Sequence, residues 1–138
     1  MLRKFFAMIL TLIIFLGVME EANAMNIKIS VNGKTFNATL EDTETAREFY
    51  KMLPLQFTMN ELNGNEKYFR LNKNLPSNDK RAGTIYAGDL MLWSSNTVVL
   101  FYKTFSSGYS YTRLGKISNT ENLIEIVGSG NISVKFEK

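Results

Sequence analysis

The chain has 138 residues, 45% of them apolar, and contains neither cysteine nor histidine. Those two absences exclude disulfide scaffolds, thiol chemistry, Ser-His-Asp and Cys-His nucleophiles, zinc fingers and ordinary histidine-bearing metal centres. The net charge is only +3, with lysines and arginines scattered rather than clustered, so the basic stripe of a nucleic-acid binder is missing.

The first 24 residues read as a leader rather than as fold. "MLRK" is a short basic start, "FFAMILTLIIFLGVM" (Phe5 to Met19) is a continuous apolar run, and "ANA" at Ala22 to Ala24 supplies the small residues that a signal peptidase accepts. The run is shorter than the roughly 20 residues of a membrane span. The expectation is therefore a signal peptide at 1–24 and a single exported domain at 25–138, periplasmic or extracellular. No cysteine follows the cleavage site to carry a lipid, so no stable membrane association is expected after cleavage. Arg3, Lys4, Glu20 and Glu21 leave together, and the balance stays at +3.

The mature chain opens with "NIKISV" and "TFNATL", which alternate apolar and polar residues around "NGK". Asn-Gly is the favoured pair for a tight hairpin turn. "EDTETAREFYKMLP" then predicts a short helix: Thr43 caps it, Glu44 lies in its first turn, Ala46, Phe49, Tyr50 and Leu53 form its apolar stripe, and Pro54 stops it.

"LQFTMNEL" and the stretch after "NGN" predict two more strands. "NLPSNDKRAG" reads as a surface loop. "TIYA", "DLMLW", "TVVLFYK", "YSYTRLGKI" and "NISVKFE" carry the β-branched and aromatic content of sheet, with "AGD", "SSN" and "SSG" read as turns between several of them. Between Asn119 and Gly128 a second helix is expected, capped at Asn119 or Thr120, with Leu123, Ile124 and Val127 at helical spacing and Gly128 as its stop. Ile132, Val134 and Phe136 alternate cleanly, which predicts that the last segment packs on the domain. Seven or eight short strands and two helices imply a mainly β fold, a closed or nearly closed antiparallel barrel.

Few polar patterns carry chemistry. Glu41, Asp42, Glu44 and Glu48 surround a helix start, where capping explains them better than a calcium loop does. Glu61, Glu66, Asp79 and Asp89 sit at turns, and none of the glycines belongs to a phosphate-binding pattern. No cofactor or metal is implied. The remaining candidates are polar groups among aromatics: Trp93, Tyr102, Phe105, Tyr109 and Tyr111 as the rim or floor of a cleft, with Arg70 and Arg113 donating hydrogen bonds from strands. The competing reading places the same tyrosines in the core, with the arginines covering aromatic faces from outside. On a regular strand Tyr109, Tyr111 and Arg113 share one face, and a bulge near Ser106 to Gly108 would change that.

"LPLQFTMNELNGNEKYFRL", "GTIYAGDLMLW", "VVLFYKTF" and "YSYTRLGKI", in this order, resemble the bacterial cyclophilin-like domain family of small uncharacterised proteins, over Met25 to about Val127. The resemblance implies a closed eight-stranded β-barrel with helices at its ends, like that of the prolyl isomerase cyclophilin. It does not carry the isomerase activity with it. True cyclophilins combine an arginine, aromatic residues and a histidine in a proline-binding groove, and their "FHR" and "QGGD"-type signatures are missing here. Arg70 is a loose counterpart of the carbonyl-polarising arginine, without a residue-by-residue match. The working expectation is a module that accepts a peptide segment or small molecule through Asn63, Glu66, Tyr68, Arg70, Tyr102, Tyr109, Tyr111 and Arg113. The alternatives are a weak prolyl isomerase using Arg70, which needs no nucleophile but only a stabilised twisted amide, and a structural or protein-interaction module.

Overall fold

The computed structural model describes residues 25–138, and the leader read at 1–24 lies outside them. Strands β1 (Met25–Val31) and β2 (Lys34–Leu40) pair across Asn32-Gly33, whose φ angles of 49° and 81° are those of the tight hairpin turn expected there. Helix α1 (Glu44–Lys51) follows, its first turn closed by the Ala46 N–H donating to Thr43 Oγ1 at 3.2 Å. Ala46, Phe49 and Leu53 are buried, as the stripe predicted.

The strands β3 (Leu55–Leu62), β4 (Glu66–Arg70), β5 (Lys80–Ile85), β6 (Asp89–Trp93), β7 (Thr97–Phe101), β8 (Phe105–Ile117) and β9 (Ile132–Glu137) complete the sheet, with helix α2 (Leu123–Val127) before the last of them. Eight strands form a closed antiparallel ring in the order β2-β1-β9-β3-β4-β7-β6-β8, with β8 pairing back onto β2. Strand β9 fills the gap between β1 and β3: Phe136 stands opposite both Ile29 and Leu55. The terminal segment is thus a staple of the barrel wall. No helix among the described residues is long and apolar enough to cross a membrane.

Strand β5 stands outside the ring and pairs only with the first half of β8. The resulting two-stranded arm folds over the outer surface of β6 and β7, and Ile85, Met91, Val99, Phe101 and Tyr111 form a second apolar core beneath it. Inside the barrel, Leu90, Leu92, Val98 and Leu100 join Ile29, Phe136 and their neighbours. Strands β6 and β7 are therefore apolar on both faces, which is why "LML" and "VVLF" run without polar interruption.

Three local expectations need correction. "SSG" is not a turn: Ser106, Ser107 and Gly108 lie within β8, where one extra residue relative to β5 makes a bulge between Ser107 and Ser110. Strand β5 begins at Lys80 rather than Thr84, because backbone pairing to β8 holds this polar segment without much side-chain burial. Helix α2 starts later than Asn119 or Thr120. Asn119 Oδ1 instead accepts from the Glu121 N–H at 3.0 Å, and only Leu123 and Val127 are buried, with Ile124 left 52% exposed.

Candidate functional site

Along β4 the side chains alternate: Lys67 is buried with the barrel interior, while Glu66, Tyr68 and Arg70 line an external recess. Strands β6 and β7 add Trp93, Thr97 and Val99, and the start of β8 adds Phe105 to Tyr109 together with Tyr111. The Asn63-Gly64-Asn65 turn, which needs positive φ at Asn63 (58°) and Gly64 (69°), closes one end. The enclosed space is about 600 Å³, the size of an ordinary small-ligand cleft. Its floor is the second core. Its rim is aromatic, with Trp93 47% and Tyr109 72% exposed.

Six of the expected contact residues meet here: Asn63, Glu66, Tyr68, Arg70, Tyr109 and Tyr111. Tyr102 and Arg113 do not. Tyr102 is buried, and its hydroxyl donates to Glu61 Oε1 at 2.5 Å. Lys67 donates to the same oxygen at 3.0 Å and to the carbonyls of Gly128 (3.0 Å) and Gly130 (2.5 Å), while the Gly64 N–H donates to Glu61 Oε2 at 2.9 Å. This network fastens the β3–β4 hairpin to the segment between α2 and β9. It is structural, and its groups are spoken for.

Arg113 shares the face of Tyr111 but lies farther along β8, past the recess; a second bulge follows it, where Leu90 and Met91 of β6 face Gly115 and Arg113 with Leu114 between. Its guanidinium reaches Asp89 Oδ1 at 3.4 Å and Glu41 Oε1 at 3.5 Å, and borders a smaller cleft of about 410 Å³ beside the start of α1. Several polar groups around that cleft are already bonded: Thr112 donates to Asp79 at 2.7 Å and accepts from the Asn78 N–H at 2.9 Å, and Thr45 donates to the Pro76 carbonyl. The larger recess differs in this respect. Glu66 is only 8% exposed and its carboxyl forms no hydrogen bond or ion pair with any described residue, and Asn65 Oδ1 is buried without a partner.

A family model described as the Cyclophilin-like family matches residues 29–137. The chain belongs to the cyclophilin-like family. The match runs through β9, so the family resemblance does not stop near Val127. The solution structure of a hypothetical protein from Archaeoglobus fulgidus superposes on this cyclophilin-like protein with a TM-score of 0.61 at 20% identity, covering 83% of this chain and 95% of the archaeal one. That likeness concerns the fold, and it singles out no bacterial branch of the family. No curated protein matches the chain.

Electrostatics set Glu66 of the cyclophilin-like barrel apart. Burial, aided by the negative charge of Glu61, pushes its carboxyl up from 4.5 to about 6. Burial is also the largest influence raising Tyr111, reinforced by the Glu66 charge. For Glu61 burial is again the largest single influence and acts upward, but the hydrogen bonds from Tyr102, Lys67 and Gly64 and the Lys67 charge outweigh it and hold the carboxyl below 4.5.

A carboxyl raised on folding binds its proton more tightly in the native state, so its ionisation costs stability as pH rises from 4.5 through 6. Replacing Glu66 with Gln should stabilise the protein by about 2 kcal/mol above pH 7, with the gain vanishing at pH 4. Urea denaturation of both proteins across this range measures it. A gap that stays constant with pH would show an ordinary carboxyl.

Glu66 and Tyr68 were legible as candidates because they share a face of a short strand with Arg70. Asn65 was missed: it looks like any turn asparagine, and nothing in "NGN" reports that its oxygen lacks a partner. Lys67 carried a signal, since it shares strand parity with buried Phe69.

Proposed function

We propose that this protein is an exported binding module that accepts a peptide segment or small molecule in the recess between β4, β7, β6 and the β5–β8 arm. The observation that carries this reading is a preformed aromatic cleft lined by the Glu66 carboxylate, which has no partner among the described residues. Maintaining an unpaired buried carboxylate costs stability without helping the barrel close, which is the pattern of a residue kept for a site. Export rests on the basic start, apolar run and A-x-A segment at residues 1–24.

A second reading, prolyl isomerisation, is favoured by one feature: Arg70 is exposed at the recess edge, without an ion pair among the described residues, beside Tyr68 and Trp93. NMR exchange spectroscopy with a proline-containing peptide tests both readings in one sample. Amide shifts confined to Leu62–Arg70 and Phe105–Tyr111 are the expected result for a binding module. Accelerated cis/trans exchange that disappears in Arg70→Ala, with the fold intact, would instead make it an isomerase. If peptides and small ligands leave both segments unshifted, the binding reading fails.

A further inference from the structure

Glu66, at the entry to β4, lines the recess with a carboxylate that meets no donor among the described residues. The recess runs from there along Tyr68, Phe105, Tyr109 and Tyr111 to Trp93 at the Arg70 end. A buried acceptor left unpaired is costly, and a ligand that brings N–H groups removes that cost on binding. We propose that the recess takes a ligand bearing a protonated nitrogen with several N–H donors, an ammonium or guanidinium group seated against the Glu66 carboxylate. The inference rests on the binding-module reading and narrows it to a ligand class.

Other classes fit less well. An anion would add like charge beside a buried carboxylate. A neutral apolar ligand would leave the Glu66 carboxylate unpaired, and a quaternary ammonium has no N–H to donate. A primary ammonium brings three donors and a guanidinium five, and either gains from the negative faces of the surrounding rings. Arg70 lies on the same strand face, two residues beyond Tyr68, and is positioned for a carbonyl or carboxylate elsewhere on the ligand. With about 600 Å³ available, the recess holds more than one side chain. The combination fits a peptide segment that places a lysine or arginine on Glu66 and backbone carbonyls toward Arg70. A free alkylamine shares the cationic chemistry.

Trp93, the single tryptophan of the chain, stands on the rim and reports occupancy by fluorescence. The protein is titrated with Ac-Gly-Lys-Phe-Gly-NH2, with its arginine counterpart, with the same peptide carrying Nε-acetyllysine, and with n-butylamine. The lysine or arginine peptide should shift Trp93 emission, and acetylation should weaken binding at least about tenfold, the scale of one charge-assisted contact. Glu66→Gln, checked for folding by circular dichroism, should lose the same factor and stop distinguishing the two lysine peptides. Saturation by n-butylamine alone would assign the cation to a free amine, whereas binding that needs the peptide assigns it to a side chain. If the acetylated peptide binds as tightly as the lysine peptide to the unaltered protein, the cation assignment is wrong while the recess remains a binding surface. Silence of Trp93 toward all four probes would overturn both.

Discussion

Lys67→Met should cost about 3–5 kcal/mol of folding stability, the range for breaking one partner out of a buried, hydrogen-bonded ion pair. Lys67 is fully buried, and three oxygens depend on its ammonium: Glu61 Oε1 and the carbonyls of Gly128 and Gly130. The apolar stem of methionine fills the same volume, so packing changes little and the loss is chiefly electrostatic. Glu61 keeps its bonds from Tyr102 and Gly64, which places the expected value toward the lower end of the range. Because the Glu61 carboxyl is held below 4.5, the stabilisation it gains is present at neutral pH and is lost as pH falls through its folded value. Urea denaturation at pH 7 measures the loss. Adding Glu61→Gln to Lys67→Met should recover part of it, since no uncompensated charge then remains. A single-variant loss below about 1 kcal/mol would mean that water substitutes for the ammonium.

Gly115→Ala is the second large effect expected, and it acts on closure of the ring. A Cβ at Gly115 would lie 2.9 Å from the Leu40 Cα and closer still to the Thr39 carbonyl oxygen, both of them backbone atoms that cannot swing aside. The seam between β2 and β8 has only three paired positions, Ala38 with Ile117, Thr39 with Lys116 and Leu40 with Gly115, so there is little neighbouring ladder to absorb a displacement. A destabilisation of about 3 kcal/mol is expected, at the upper end of overpacking costs because the obstruction is main chain. Hydrogen exchange should accelerate first at Glu41 and Ser118, whose N–H groups donate across the seam to the carbonyls of Leu114 and Asn37. The β3–β4 and β3–β9 pairs should be spared at low denaturant. Uniform acceleration across the barrel would show that the seam does not open separately.

How much of this was legible in the sequence varied with how locally each feature is determined. Asn32-Gly33 fixed the first hairpin, Thr43 fixed the start of α1, and the alternation of Ile132, Val134 and Phe136 placed β9 on the core, because each of these depends on neighbours in the chain. The boundaries of β8 were obscured because "SSG" has the composition of a turn, yet the bulge opposite Ala82 keeps it in the strand. Strand β5 was largely hidden, since "KRAG" is held by main-chain pairing and has no apolar signature. The candidate site was legible in part for the same reason. Glu66, Tyr68 and Arg70 come together by strand parity, whereas Tyr102 is taken by Glu61, far away in sequence, and Arg113 lies past the end of the recess beside Asp89 and Glu41. Only the folded chain reveals which polar groups are left over.

Strand β8 belongs to two assemblies at once. Its second half is bonded to β6 and β2 and closes the ring, while its first half takes only β5 as a partner strand, and β5 has no other. One wall of the recess is therefore an appendage of the barrel rather than part of it. Sequence drift in Phe105 to Tyr109 can reshape what the recess accepts while leaving the closure contacts of Thr112 to Ile117 untouched. On the proposed binding role, the part of the protein that selects a ligand is separable from the part that closes the barrel.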